Sequence, residues 1–173
     1  YIFKEGAWKQ NSVGWWYSYY KGGYPQNTWK FINSKWYYFD SAGYMYTGWL
    51  QNGSVWYYLK PNGEMATGWN QINAKWYYFD TNGKMKVGFQ EIEGQTYFFS
   101  RVTGEMRTGM FAIDGPMYYF DETGVIQTGL QEINGKKYYF GTDGKMQTGF
   151  QEIEEKTYFF SRITGELRTG MFA

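Results

Sequence analysis

Residues 67–85 read Thr67-Gly68-Trp69-Asn70-Gln71-Ile72-Asn73-Ala74-Lys75-Trp76-Tyr77-Tyr78-Phe79-Asp80-Thr81-Asn82-Gly83-Lys84-Met85. A short segment opened by Trp, a polar pair and then a contiguous run of β-favouring rings predict a β-hairpin. Its strands are 69–72 and 75–79, with a turn at Asn73-Ala74, and a second polar turn, Asp80-Thr81-Asn82-Gly83, leads onward through Lys84-Met85. A helix is a poor fit, because the rings are adjacent rather than spaced three or four apart and glycine punctuates the segment. A lone two-stranded hairpin is marginal in water, so this one needs a neighbour to stack on.

The neighbours are in the sequence. A Thr-Gly-hydrophobic signature recurs at Gly48, Gly68, Gly88, Gly109, Gly129, Gly149 and Gly170, at spacings of 20, 20, 21, 20, 20 and 21 residues, with Val87 in place of Thr once. An aromatic run sits inside every interval, from Trp36-Tyr37-Tyr38-Phe39 to Tyr158-Phe159-Phe160. Asn52-Gly53 and Asn134-Gly135 are hairpin-turn signals in the first loop. In the 21-residue intervals the extra residue falls in the second turn, where Ser100-Arg101-Val102-Thr103-Gly104 stands for Asp-Thr-Asn-Gly. An irregular unit over about 8–28 precedes the regular ones. The expected fold is all-β, a solenoid of about eight stacked hairpins of 20–21 residues, each contacting mainly its neighbours.

Composition excludes several functions. The 173 residues hold no His and no Cys, which removes the usual catalytic triads, thiol nucleophiles and ordinary zinc sites. With 17 basic and 16 acidic side chains, net charge does not suggest nucleic acid. No apolar stretch is long enough for a bilayer. Asp114, Asp121 and Glu122 lie in expected turns, where Asp is favoured for bonding its own backbone, so they are not read as a glycosidase pair. Asp80-Thr81-Asn82-Gly83 and Asp143-Gly144 lack the spacing of a calcium loop, and Asn52-Gly53-Ser54 is a turn that happens to fit a glycosylation acceptor. No metal and no cofactor are expected. Opening at Tyr1 and stopping inside Met171-Phe172-Ala173, the sequence reads as a fragment of something longer.

The two halves differ. All nine Trp lie at or before position 76, and each regular unit there carries two, seven residues apart. Later units hold Phe89, Met110, Leu130 or Phe150 in the first slot and Thr96, Met117, Lys137 or Thr157 in the second. The expected division is therefore 1–88, Trp-paired repeats, and 89–173, Trp-free repeats continuing the same solenoid. Residues 88–112 and 149–173 are near-identical, 61 residues apart, which indicates duplication of a block of three units. If Trp were needed merely for stacking, the later units should have kept it. Rings without carboxylates suit a quaternary ammonium ion, whose diffuse charge is attracted to aromatic faces and for which choline is a standard example. On the aromatic strand Trp56 and Tyr58 share a face and Tyr57 points the other way.

The motif Thr67-Gly68-Trp69-x6-Trp76-Tyr77-Tyr78-Phe79-x3-Gly83-x-Met85 resembles the choline-binding, or cell-wall-binding, repeat, and Gly14-Trp15-Trp16-Tyr17 through Asp40 resembles the opening of such modules in autolysins and phage lysins. The resemblance implies a non-catalytic module that recognises choline or phosphocholine of teichoic acid and anchors a larger protein, a murein hydrolase, at the bacterial surface. It also implies cages of two Trp from one repeat and a Tyr from the next, with a Met nearby. Carried across, these are Trp8, Trp16, Tyr38 and Met45; Trp29, Trp36, Tyr58 and Met65; Trp49, Trp56, Tyr78 and Met85; and Trp69, Trp76 and Phe98 with Met106, where Phe replaces the expected Tyr. In the first, Trp15 is the alternative to Trp16. Units from Phe89 onward resemble short repeats of clostridial toxins and glucan-binding proteins, which implies carbohydrate as an alternative ligand. A structural or dimerisation arm, giving a homodimer, is the third reading.

Overall fold

The structure is a computed structural model that describes residues 5–169; the Gly170 signature and the Met171-Phe172-Ala173 motif lie outside the described residues. The chain divides into two compact units, Tyr1–Lys86 and Val87–Ala173. No helix forms among the described residues. The first unit contains four antiparallel hairpins: β1 (Gly6–Gln10) with β2 (Trp15–Tyr19), β3 (Thr28–Ile32) with β4 (Lys35–Phe39), β5 (Gly48–Asn52) with β6 (Val55–Leu59), and β7 (Gly68–Ile72) with β8 (Lys75–Phe79). The second contains β9 (Gly88–Ile92) with β10 (Gln95–Phe99), β11 (Gly109–Ala112) with β12 (Met117–Phe120), β13 (Gly129–Ile133) with β14 (Lys136–Phe140), and β16 (Gly149–Ile153) with β17 (Lys156–Phe160). Two-residue strands, β15 (Met146–Gln147) and β18 (Leu167–Arg168), add to the last two hairpins.

Local chemistry explains both turns. Ile72 pairs with Lys75, leaving Asn73 and Ala74 as the central pair at φ 50° and 63°, the mirror-image geometry whose twist matches a hairpin. In the preceding hairpin the register closes on Asn52 and Val55, so the central pair is Gly53-Ser54 rather than Asn52-Gly53. In the second turn the Asp80 carboxylate accepts the Asn82 and Lys84 N–H groups at 2.9 and 3.0 Å. Where the turn is one residue longer, the Ser100 hydroxyl takes that part, accepting from Val102 and Thr103.

Stacking within a unit has a repeated joint. From the second hairpin onward the last ring or aliphatic of the aromatic strand is fully buried: Phe39, Leu59 and Phe79 in the first unit, and Phe99, Phe120, Phe140 and Phe160 in the second. Phe39, Leu59 and Phe79 bridge to Met45, Met65 and Met85. The methionine N–H then donates to the preceding hairpin, Met65 to the Trp36 carbonyl at 2.8 Å and Met85 to that of Trp56 at 2.9 Å. Ile126 donates to Thr96 at 2.9 Å in the same way. The next turn comes so close that a Cβ at Gly83 would overlap the Met65 side chain, so only glycine fits there.

Candidate aromatic cage

Strand register decides which rings can meet. Trp49 pairs with Tyr58 and Gln51 with Trp56, so Trp49, Trp56 and Tyr58 share one face of their hairpin. The next hairpin covers that face with residues of the other parity, Tyr77 and Phe79. Ring centroids lie 4.9 Å apart for Trp49–Tyr77, 5.9 Å for Trp49–Phe79, 5.1 Å for Trp49–Tyr58 and 6.3 Å for Trp49–Trp56, the last at 84°. One hairpin earlier, Trp29 meets Tyr57 at 5.1 Å and Tyr38 at 5.3 Å. There the rings bound a cavity of about 280 Å³ lined by Trp29, Trp36, Tyr57, Met65 and Asn82. It is at the small end for ligand pockets and has no carboxylate in its wall.

The two Trp of a pair differ in setting. Trp8, Trp29, Trp49 and Trp69 are half-buried, whereas Trp15, Trp36, Trp56 and Trp76 stand 37–43% exposed at one register position. The first ring belongs to the stack. The second contributes little to it, and four large apolar rings left open at one repeating position form an available surface.

The third wall differs from the one expected. Tyr57, not Tyr58, lies on Trp29, and Tyr77, not Tyr78, lies on Trp49. Tyr38, Tyr58 and Tyr78 are cross-strand partners of Trp29, Trp49 and Trp69 in their own hairpins. A ring from the following hairpin must face backwards, and the two-residue period gives that orientation to the neighbour of each expected Tyr. The first cage shifts likewise. Trp8 meets Tyr37 at 4.9 Å, and Trp15, whose carbonyl accepts the Met45 N–H at 2.7 Å, occupies the position of Trp36 and Trp56. Trp16 points to the opposite side, 6.2 Å from Tyr44. Met45, Trp8 and Tyr37 pack against the same buried cluster of Tyr17, Ile32 and Phe39, and Met85 and Trp49 against that of Ala66, Ile72, Tyr77 and Phe79. Trp69 and Trp76 repeat the pair at 6.3 Å and 84°. Phe98 belongs to the second unit, where it is the cross-strand partner of Phe89.

In the second unit Phe89 holds the first Trp position and meets Tyr118 of the following hairpin at 5.3 Å, but Thr96 provides no second ring. Burial, and then the Glu64 carboxylate, push the Tyr37 phenol above its usual range, so this wall is uncharged near neutrality.

The choline-binding repeat model matches residues 27–67, 86–125 and 127–172, and the putative cell wall binding repeat model matches residues 67–85. No curated protein sequence matches the chain. Among solved structures, CbpJ from Streptococcus pneumoniae is 28% identical at a TM-score of 0.83, over 90% of this chain and 56% of that one. CbpF in complex with ipratropium is 30% identical at 0.81, over 96% and 60%. The pneumococcal cell wall endolysin from phage Cp-1, complexed with choline, is 38% identical at 0.55, over 71% and 37%. The chain thus spans little more than half of the first two and about a third of the third. With family models covering more than half of its length and the hairpin stack in common with these structures, the chain belongs to the choline-binding repeat family.

Proposed function

We propose that this chain is a non-catalytic module that binds the choline of cell-wall teichoic acid and holds a larger protein, a murein hydrolase of the endolysin or autolysin sort, at the bacterial surface. The observation that carries the reading is the cavity of Trp29, Trp36, Tyr57 and Met65, a ring-walled space with no carboxylate. A trimethylammonium group enters such a space by apolar contact of its methyls and cation–π attraction, about 0.5–2 kcal/mol per ring by exposure. The same rings recur at Trp49, Trp56 and Tyr77 and at Trp8, Trp15 and Tyr37. One cage is weak, on the order of millimolar, or about −4 kcal/mol. Several on one stack facing a polymer of many cholines gain strongly through effective concentration. Residues 1–88 carry these sites, and 89–173 continue the repeat without the Trp pair.

The test is a choline titration followed by Trp fluorescence, with Trp36→Ala and Trp56→Ala singly and together and a glucan oligosaccharide as control. Both rings are exposed, so their removal leaves the stack folded. A saturable choline response that shrinks with each substitution is expected. A response to the oligosaccharide alone, or to neither compound, would overturn the reading.

A further inference from the structure

The second unit has a cavity of the same size, about 280 Å³, lined by Phe98, Ser100, Arg101, Arg107, Phe111, Ala112, Ile113 and Asp114. It lies at the longer turn that only the 21-residue repeats possess. Here the rings are already supplied with cations. The Arg107 guanidinium carbon sits 4.8 Å from the Phe111 ring centroid and that of Arg101 sits 5.8 Å from the Phe98 centroid. The rings themselves are fixed: Phe98 is buried, and Phe111 stacks on the fully buried Phe120 at 5.3 Å and 18°. A quaternary ammonium ion would find the aromatic faces taken and the like charge of Arg107 beside it.

The two guanidiniums are not equivalent. Arg101 is neutralised by a bidentate pair with Asp114, at 2.8 and 2.7 Å. Arg107 has no carboxylate within ion-pair distance among the described residues, while its backbone N–H donates to the Phe98 carbonyl at 2.8 Å and anchors the residue at the cavity. A guanidinium stacked on a ring still presents its in-plane N–H donors, in a fork that matches carboxylate and phosphate oxygens. The cavity thus combines one uncompensated fork, an apolar floor and the Ser100 hydroxyl. The 61-residue duplication places Phe159, Ser161, Arg162 and Arg168 in corresponding positions, whereas Phe172, the counterpart of Phe111, lies outside the described residues.

We propose that this cavity is an oxyanion site, in which Arg107 receives a phosphate or carboxylate group borne on a small organic body that rests against Phe98 and Phe111. It is independent of the Trp cages and of their ligand.

The experiment is a titration with glycerol phosphate in one arm and glucuronate in the other, sodium chloride being the ionic-strength control. The readouts are the side-chain Nε–Hε signals of Arg101 and Arg107 and the amides of residues 98–114. Saturable shifts in either arm, beyond those with chloride, are expected, and the arm that saturates identifies phosphate or carboxylate. Arg107→Gln should weaken that binding by about tenfold or more, given the usual strength of a hydrogen bond to a charged group, with Arg107→Lys falling between. Unchanged amide signals for Phe120 and Phe140 establish that the variants are folded. Shifts that match chloride in both arms, or survive unaltered in Arg107→Gln, would overturn the proposal.

Discussion

Replacing Tyr57 by Leu and, separately, Tyr58 by Leu separates two adjacent residues with opposite expectations. Tyr57 supplies the wall that the following hairpin lays on Trp29, at 5.1 Å, and it lines the cavity. Leucine keeps much of the packing volume and removes the π face. The loss at that cage is one ring's cation–π attraction, about 0.5–2 kcal/mol, or roughly 2- to 30-fold in dissociation constant. Tyr58 lies on the far face, 5.1 Å from Trp49, so its replacement leaves the Trp29 site within about twofold and weakens the Trp49–Trp56 site instead. Bulk fluorescence averages nine Trp, so the assay is 19F NMR of 5-fluorotryptophan-labelled protein with Trp29, Trp36, Trp49 and Trp56 assigned, titrated with choline. If Tyr58→Leu removed the response of Trp29 and Trp36 while Tyr57→Leu spared it, the register argument would be refuted.

Ala74 holds φ 63° in its turn, a conformation costly for any residue with a Cβ, so Ala74→Gly should stabilise the protein by about 0.5–1 kcal/mol in urea unfolding despite glycine's greater unfolded-state entropy. Phe79 is fully buried at the joint with Met85, and Phe79→Ala should cost about 3–5 kcal/mol, seen as an earlier unfolding midpoint. The Arg101 hydrogen bond holds the Asp114 carboxyl below its ordinary range. A depressed carboxylate contributes stability that is present above its unfolded value, near 3.9, and is lost as pH falls through the lower folded value. Urea midpoints measured downward from about pH 5 should therefore decline less steeply in Asp114→Asn, and parallel curves would contradict this.

Much of the hairpin stack is legible in the chain, because one physical requirement is written many times. Each Thr-Gly signature and aromatic run repeats the pattern of residues 67–85, and the paired positive-φ residues, Asn33-Ser34 and Asn73-Ala74, fall where the turn chemistry puts them. The third wall was legible too, but through parity rather than resemblance. Trp56 and Tyr58 share a face, so a ring that closes a neighbour's cage must come from the other set, Tyr57 or Tyr77. Trp15 against Trp16 depended on the length of an irregular loop; the pairing of Gln10 with Trp15 puts Trp15 at the register position of Trp36 and Trp56. The Arg101–Asp114 fork joins residues 13 apart across a turn and a strand, and no local pattern announces it.

The methionines at the joints have a chemical consequence. The chain has eight Met and no Cys, so its oxidisable sulfur is all thioether. Met65 lines the Trp29 cavity and also sits where the Gly83 turn leaves no space for one more carbon. A sulfoxide adds a polar oxygen at that point, so oxidation of Met65 should loosen the contact between hairpins and spoil the ring-walled space together. Peptide mass spectrometry after peroxide, with and without choline, would measure it, and equal oxidation in both would show that the thioether is not covered by ligand. Peroxide damage at Met65 would thus fall on a seam between repeats, where one added oxygen reaches two neighbours at once.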